Sequence, residues 1–287
     1  MNNILIGAVL GLVQGISEWL PISSKTQVGI ASIALLHLTF SQAYTFGLFM
    51  EIGTILAAII YFRREIYSLI RVLVLRGNHE EKRLFTYVLI TTIVTGAIGA
   101  VLYLYVDSIS GGIPLGIPMV IIGLILIADS LVIWHSRTKQ RYGKNTRKFK
   151  DLTIRDYLLV GIVQGIAALP GVSRSGITTS AMLLMNIEPD EAFRLSFLVG
   201  IFAAGGAFAL TLLASHTNVS SALSSIGLAG LAAAIIVAII VSLFLIDFLI
   251  KIAGKSKIVY LTAALGILAI ASGVVALVIG LPVGLGS

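Results

Sequence analysis

Two short segments gather polar and ionisable side chains inside apolar sequence. The first reads Gly-Leu-Val-Gln-Gly-Ile-Ser-Glu-Trp-Leu-Pro-Ile-Ser-Ser from Gly11 to Ser24 and continues through Lys25, Thr26 and Gln27. On a helix, Gln14 and Glu18 are one turn apart and share a face. Pro21 then stops that helix and starts the next segment. The second segment, Pro170 to Ser180, crowds Gly171, Ser173, Arg174, Ser175, Gly176, Thr178 and Thr179 into one run. Glycine lets a backbone approach a ligand closely. Ser or Thr after a break caps the following half-helix and leaves its first N–H groups for an anion. Arg174 offers a planar fork suited to phosphate oxygens. Such residues describe a phosphate or pyrophosphate cradle. The plainer reading has Ser and Thr gluing helices together and Arg174 paired with a carboxylate. Glu51, in Met50-Glu51-Ile52-Gly53, is a further charge inside an apolar run.

The elements that must carry these residues follow from composition. The 287-residue chain is 57% hydrophobic and 11% charged, against about 25% charged in an ordinary soluble domain. Its mean hydropathy is +1.03. A water-soluble globule cannot hide that much apolar side chain. The net charge of +7 reads as orientation, with nucleic acid excluded as a partner. Of the 20 Lys and Arg residues, all but Lys25, Arg174 and Arg194 fall in three clusters, Arg63–Arg83, Arg137–Arg155 and Lys251–Lys257. The positive-inside rule makes these clusters cytoplasmic. With no cysteine in the chain, disulfide and thiolate chemistry are excluded.

Apolar runs of spanning length lie at 43–62, 85–106, 115–135, 192–214, 226–250 and 258–281, each near the ~20 residues a crossing helix needs. The stretches 3–37 and 156–187 are each broken by Pro, Ser and charge. Interrupted segments at membrane depth must be buried in protein or line a wet cavity, so both read as re-entrant helix pairs. Counting sides then places both termini outside the plasma membrane. No positive n-region precedes Ile4, so a cleavable signal peptide is not expected.

The two broken stretches share the frame Gly-(Leu/Ile)-Val-Gln-Gly-Ile, then Leu-Pro, then Ser. Phe46–Gly53 is echoed by Phe193–Gly200, each leading into an Ala-rich run. By the side count one copy enters from outside and the other from inside. The expected fold is an all-α integral membrane protein, one membrane domain. It has six transmembrane helices plus two re-entrant pairs in an inverted-topology repeat, halves about 1–135 and 156–287. That architecture places a site at the midplane where broken helices meet.

Glu18-Trp-Leu-Pro-Ile-Ser-Ser24 and Pro170-Gly-Val-Ser-Arg-Ser-Gly-Ile-Thr178 resemble the two signatures of the undecaprenyl-pyrophosphate phosphatases of the bacitracin-resistance type. The segment Phe46–Ala57 fits as well, and the resemblance covers essentially the whole chain. It implies removal of the terminal phosphate from a polyprenyl pyrophosphate, recycling a lipid carrier at the outer face. The family's first motif commonly starts with Glu where this chain has Gln14. Its Ser-Ser-x-x-His becomes Ser23-Ser24-Lys25-Thr26-Gln27, an amide in place of a proposed catalytic imidazole. An amide keeps hydrogen bonding but gives up proton transfer. Glu51 stands where His or Gln is commoner and is expected to take over acid/base or metal work. This variant looks like an archaeal branch, whose lipid would be a dolichol-type or other archaeal polyprenyl carrier.

The expected catalytic residues are therefore Glu18, Ser24, Arg174 and Glu51. Gln14, Ser23, Lys25, Gln27, Gly171, Ser173, Ser175 and Thr178 are expected to bind substrate. Either Ser24 or a water held by Glu18 attacks phosphorus. Mg²⁺ or Ca²⁺, with Glu18 as ligand, suits carboxylate and phosphate oxygens. Expected partners are the polyprenyl pyrophosphate lipid, membrane lipids and a second copy in a homodimer. The competing function is a lipid-carrier flippase or transporter, because inverted repeats with broken helices are a transporter architecture. His37, His79, His135 and His216 lack ligand spacing and read as bland.

Overall fold

The computed structural model describes residues 2–110, 114, 116–138, 146–169, 171–214, 216–254 and 258–280. Among them the structure is helical, apart from one isolated bridge between Arg147 and Ile187. Among the described residues four helices are long and apolar enough to cross a membrane, and a fifth span results if one bent pair counts as a crossing.

The first interrupted stretch folds as two helices, α1 (Asn3–Ser17) and α2 (Ser24–Leu36). Asn2 caps α1 by accepting from the Ile4 N–H, and α1 ends ahead of Pro21, which could not continue its hydrogen bonds. Next come α3 (Phe40–Phe49) and α4 (Glu51–Tyr61). The single span expected over 43–62 is thus divided at Met50. The division sets the Glu51 carboxylate in the first turn of α4, where a helix N-terminus favours negative charge.

Helix α5 (Arg63–Leu73) leaves α4 at a 79° bend. Long helices α6 (His79–Ser110) and α7 (Gly116–Thr138) follow. After a 3-10 turn at Phe149–Asp151 come α8 (Ile154–Ile166) and α9 (Arg174–Leu184), the second interrupted stretch. Pro170, expected to mark that break, lies outside the described residues. The chain continues as α10 (Pro189–Ala214), α11 (His216–Ala253) and α12 (Ile258–Ile279). The connection expected at 215–225 is helical from His216 onward. The irregularity sits instead at Gly227, whose φ of 69° only glycine adopts cheaply.

The tightest packing uses glycines as contact surface. Helix α1 lies along α11, and a Cβ at Gly7 or Gly11 would stand 1.9 Å from the Gly230 carbonyl oxygen or 2.2 Å from that of Ala234. Helix α8 lies along α6, where a Cβ on Gly161 would meet the Val94 Cβ at 2.7 Å and one on Gly165 the Ile98 Cβ at 2.6 Å. Helices α7 and α12 cross through Gly116 against Gly273 and Gly123 against Gly266. Small residues at such crossings let backbones meet, which replaces the missing hydrophobic drive between helices in lipid. Larger side chains fill the layer around the breaks. Trp19 packs edge-on against Phe197 with centroids 5.0 Å apart, inside a cluster with Phe62, Tyr87 and Phe193.

At the basic edge, Arg147 makes a two-pronged pair with Asp156, Nη1 to Oδ1 at 3.0 Å and Nη2 to Oδ2 at 2.6 Å. Asp156 also accepts from the Thr153 N–H and hydroxyl. Burial alone would push the Asp156 carboxyl up, but the bonds from Arg147 and Thr153 outweigh it and hold it below its ordinary range.

Candidate active site

The two breaks meet. Ser173 donates to the Leu20 carbonyl at 3.2 Å, and Ser175 donates to the Glu18 carbonyl at 3.0 Å. A Cβ at Gly176 would stand 2.7 Å from the Pro21 Cβ, so glycine lets α9 close on the first break. Carbonyls freed where a helix stops need donors, and serines from the other half of the chain supply them.

A cleft opens beside this junction, lined by Glu18, Ser23, Ser24, Lys25, Glu51, Val172, Ser173 and Arg174. Glu18 is its hub. Its Oε2 accepts from the Ser24 hydroxyl at 2.6 Å and from the Gln14 amide at 3.0 Å. Its Oε1 accepts from Arg174 Nη2. The other terminal nitrogen of Arg174 faces Glu51 Oε2 at 3.7 Å, and Lys25 Nζ stands 4.0 Å from Glu51 Oε1. The side chain of Glu51 is 1% exposed and that of Glu18 5%. Two carboxylates and two cations thus offset one another in a nearly closed space. Removing one partner would leave an uncompensated buried charge.

Ser23 holds a left-handed backbone, φ 56° and ψ 89°, a conformation that costs a non-glycine residue about 1–3 kcal/mol. Its hydroxyl bonds to that of Thr26 at 3.1 Å. No side chain caps α2, so its first N–H groups are left for an anion. Helix α9 differs, because the Ser173 hydroxyl accepts from the Gly176 N–H at 3.3 Å.

Among the expected site residues, Glu18, Ser23, Ser24, Lys25, Glu51, Ser173 and Arg174 line the cleft. Gln14 stands behind Glu18, its amide reaching Glu18 and, at 3.4 Å, the Thr54 hydroxyl. Gln27 turns away, donating to the Ile22 carbonyl at 3.0 Å and to Ser272 on α12. The Thr178 hydroxyl returns to its own helix at Arg174 O, 2.6 Å away, and bonds to Ser196. Ser175 is spent on the Glu18 carbonyl. Gly171 adopts φ 80° at the turn into α9 and is absent from the cleft lining.

Three side chains that the sequence reading did not single out enter here. Thr54 lies one turn after Glu51 on the same face, a helical spacing that could have marked it. Ser196 and Ser272 partner Thr178 and Gln27 across long sequence separations, for which no local signal exists.

A hard cation would find fitting chemistry. Glu18, the expected ligand, already accepts at both oxygens from Ser24, Gln14 and Arg174, whereas Glu51 Oε2 is buried, faces Arg174 at 3.7 Å and accepts no hydrogen bond, so it has acceptor capacity to offer. Among the described residues no three His, Asp or Glu side chains gather as a metal cluster. Mg²⁺ commonly needs only one or two carboxylates plus substrate phosphates.

Residues 7–274 match the family model described as "Bacitracin resistance protein BacA". The chain belongs to this family. It is 52% identical over 275 residues to the undecaprenyl-diphosphatase of Saccharolobus solfataricus, covering 96% of this chain and 97% of that protein. It is 46% identical over 278 residues to the undecaprenyl-diphosphatase of Sulfurisphaera tokodaii, covering 96% and 100%. With the one from Pyrobaculum aerophilum it shares 37% identity over 274 residues, 95% and 98% of the two chains. Likeness to these archaeal relatives bears out the expected resemblance of the chain to an archaeal branch of the family.

Proposed function

We propose that this chain hydrolyses a polyprenyl pyrophosphate to polyprenyl phosphate and inorganic phosphate, recycling a lipid carrier in the plasma membrane. The observation that carries the reading is the contact of Ser24, Glu18 and Arg174 in one cleft. The name of its relatives supports the same substrate class.

In this reading the pyrophosphate enters at the uncapped start of α2, between Lys25 and Arg174, with the polyprenyl tail in lipid. The Ser24 oxygen attacks the terminal phosphorus while its proton passes to Glu18 Oε2, already 2.6 Å away. The bond from that phosphorus to the bridging oxygen breaks, and the electron pair leaves on polyprenyl phosphate. Water then attacks the phosphoserine phosphorus, the bond to the Ser24 oxygen breaks, and that oxygen takes back the proton held by Glu18, while phosphate leaves carrying the protons of the water. Arg174 and Lys25 stabilise charge on the equatorial oxygens, the main task of a protein in phosphoryl transfer. The cleft's own four charges cancel, so a pyrophosphate brings unmatched negative charge. A divalent cation held by Glu51 would supply the balance and Lewis-acid chemistry.

The fold reading belongs to the same proposal: six crossings, two re-entrant pairs, and halves related by inverted topology with both termini outside. Mirrored packing supports it. Gly11 and Gly15 set α1 against α11, and the matching Gly161 and Gly165 set α8 against α6. Because such symmetry also suits a flippase, the assay has two arms. Detergent-purified protein should release phosphate from farnesyl or longer polyprenyl pyrophosphate, and Arg174→Ala should slow release by about 10²–10³-fold. No release with or without Mg²⁺ or Ca²⁺, while reconstituted protein moves polyprenyl phosphate across liposomes, would replace the phosphatase reading with the carrier one.

A further inference from the structure

Helix α5 carries more surface than the catalytic reading uses. Leu69 is buried and, with Ile66, packs into the core. The flank of the same apolar face has no such cover. Tyr67, Ile70, Leu73 and Val74 are all exposed, and at about 100° per residue they fall on one arc of about 120°. Leu75 follows, 92% exposed and held at φ 59°. A leucine strained outward in this way gains nothing from water.

Charge borders the arc. Arg64 and Arg71 lie along one side, Arg63 at its start and Arg76 just beyond its end. Arg71 pairs with Glu81 at 3.0 Å. Exposed Arg63, Arg64 and Arg76 have no carboxylate partner among the described residues. Glu65, the acid on α5, is taken by Arg194 of α10 at 2.6 Å. The uncovered face is therefore apolar and cationic together. The 79° bend between α4 and α5 adds geometry: an α4 that crosses the bilayer steeply lays α5 close to the membrane surface.

We propose that α5 is an interfacial anchor that sinks Tyr67, Ile70, Leu73, Val74 and Leu75 below the headgroups and binds anionic lipid through Arg63, Arg64 and Arg76. An amphipathic helix with this division lies in the interface plane. Arginine stems cover apolar surface while their heads reach outward to phosphate. Each arginine near an anionic leaflet strengthens docking roughly fivefold. The anchor joins the cleft through one residue, Phe62, between α5 and the helix that carries Glu51.

The absence of native cysteine makes the test clean. The full chain is purified as Leu73→Cys or Glu80→Cys, labelled with bimane, and placed in nanodiscs. The discs are phosphatidylcholine alone or phosphatidylcholine mixed with phosphatidylglycerol. The expected result is that nitroxide lipid quenches the label at position 73 and iodide does not, with the reverse at position 80. Lipid quenching at 73 should rise with phosphatidylglycerol, and Arg63→Gln, Arg64→Gln and Arg76→Gln together should reduce it several-fold in the mixed discs. Equal access of iodide to both positions would overturn the proposal. Quenching indifferent to phosphatidylglycerol and to the arginines would also overturn it. So would spin–spin broadening between nitroxide labels at position 73 on two copies, which assigns the face to a second chain.

Discussion

Four charges meet in the cleft, and their balance decides what each substitution does. Arg174 is shared between Glu18 and Glu51, and Lys25 leans on Glu51 alone. Glu51→Gln removes one carboxylate while keeping its volume. Turnover should fall about 10²-fold or more, the usual worth of a positioned acid or base, a loss far larger than any fall in the yield of monodisperse protein. Unaltered phosphate release would make Glu51 a packing residue. The ionisable members of this group were legible in the sequence, because charge in apolar sequence is costly wherever it survives. The hydroxyls and amides were less so. Ser175, Thr178 and Gln27 have the right chemical type, yet they are spent on a carbonyl of the other break, on their own helix and on α12. Sequence spacing records which residues share a face, not which neighbour claims them first.

At the scale of elements, glycine contacts position the broken helices. Gly11→Ala puts a methyl 2.2 Å from the Ala234 carbonyl and should destabilise the protein by about 1–3 kcal/mol, the cost of overpacking. Gly96→Ala, with nothing within 4 Å, should be neutral or slightly stabilising. Thermal unfolding in detergent compares them, and equal melting temperatures would contradict the close approach. The Arg147–Asp156 clasp predicts a pH effect. Because the Asp156 carboxyl is held below its ordinary value, its contribution is complete above the unfolded pKa of about 3.9. It fades as pH falls through the lower folded value. The melting gap between the native chain and Asp156→Asn should stay constant from neutral pH to about 5 and close in more acid solution. Helix breaks at Pro21 and near Arg174 could be read from Pro, Gly and Ser. The division at Met50 could not, since Phe46–Ala57 is apolar on both sides of it and only the tertiary setting of Glu51 distinguishes it.

The whole molecule sets two surfaces apart, a small polar cleft and a large apolar exterior. Composition dictated that exterior, and the charge clusters predict an orientation that a cysteine-free chain can test. Asn2→Cys should react with an impermeant maleimide added to intact cells, and Arg64→Cys should react only after permeabilisation. The opposite pattern would invert the topology. Pairing of the two breaks was foreshadowed by their shared Gly-x-Val-Gln-Gly frame. The route of Ser173 and Ser175 to the carbonyls of Leu20 and Glu18 was not, being set by packing between segments about 150 residues apart.

The central claim is that Glu18 and Arg174 act as one unit on a pyrophosphate. Single-turnover phosphate release from a polyprenyl pyrophosphate by the native chain, Glu18→Gln, Arg174→Ala and the double variant tests it most directly. Residues that act as a unit are grossly non-additive, so the double variant should be no slower than the slower single one. Losses that multiply, or a single variant that releases phosphate at the native rate, would contradict the account.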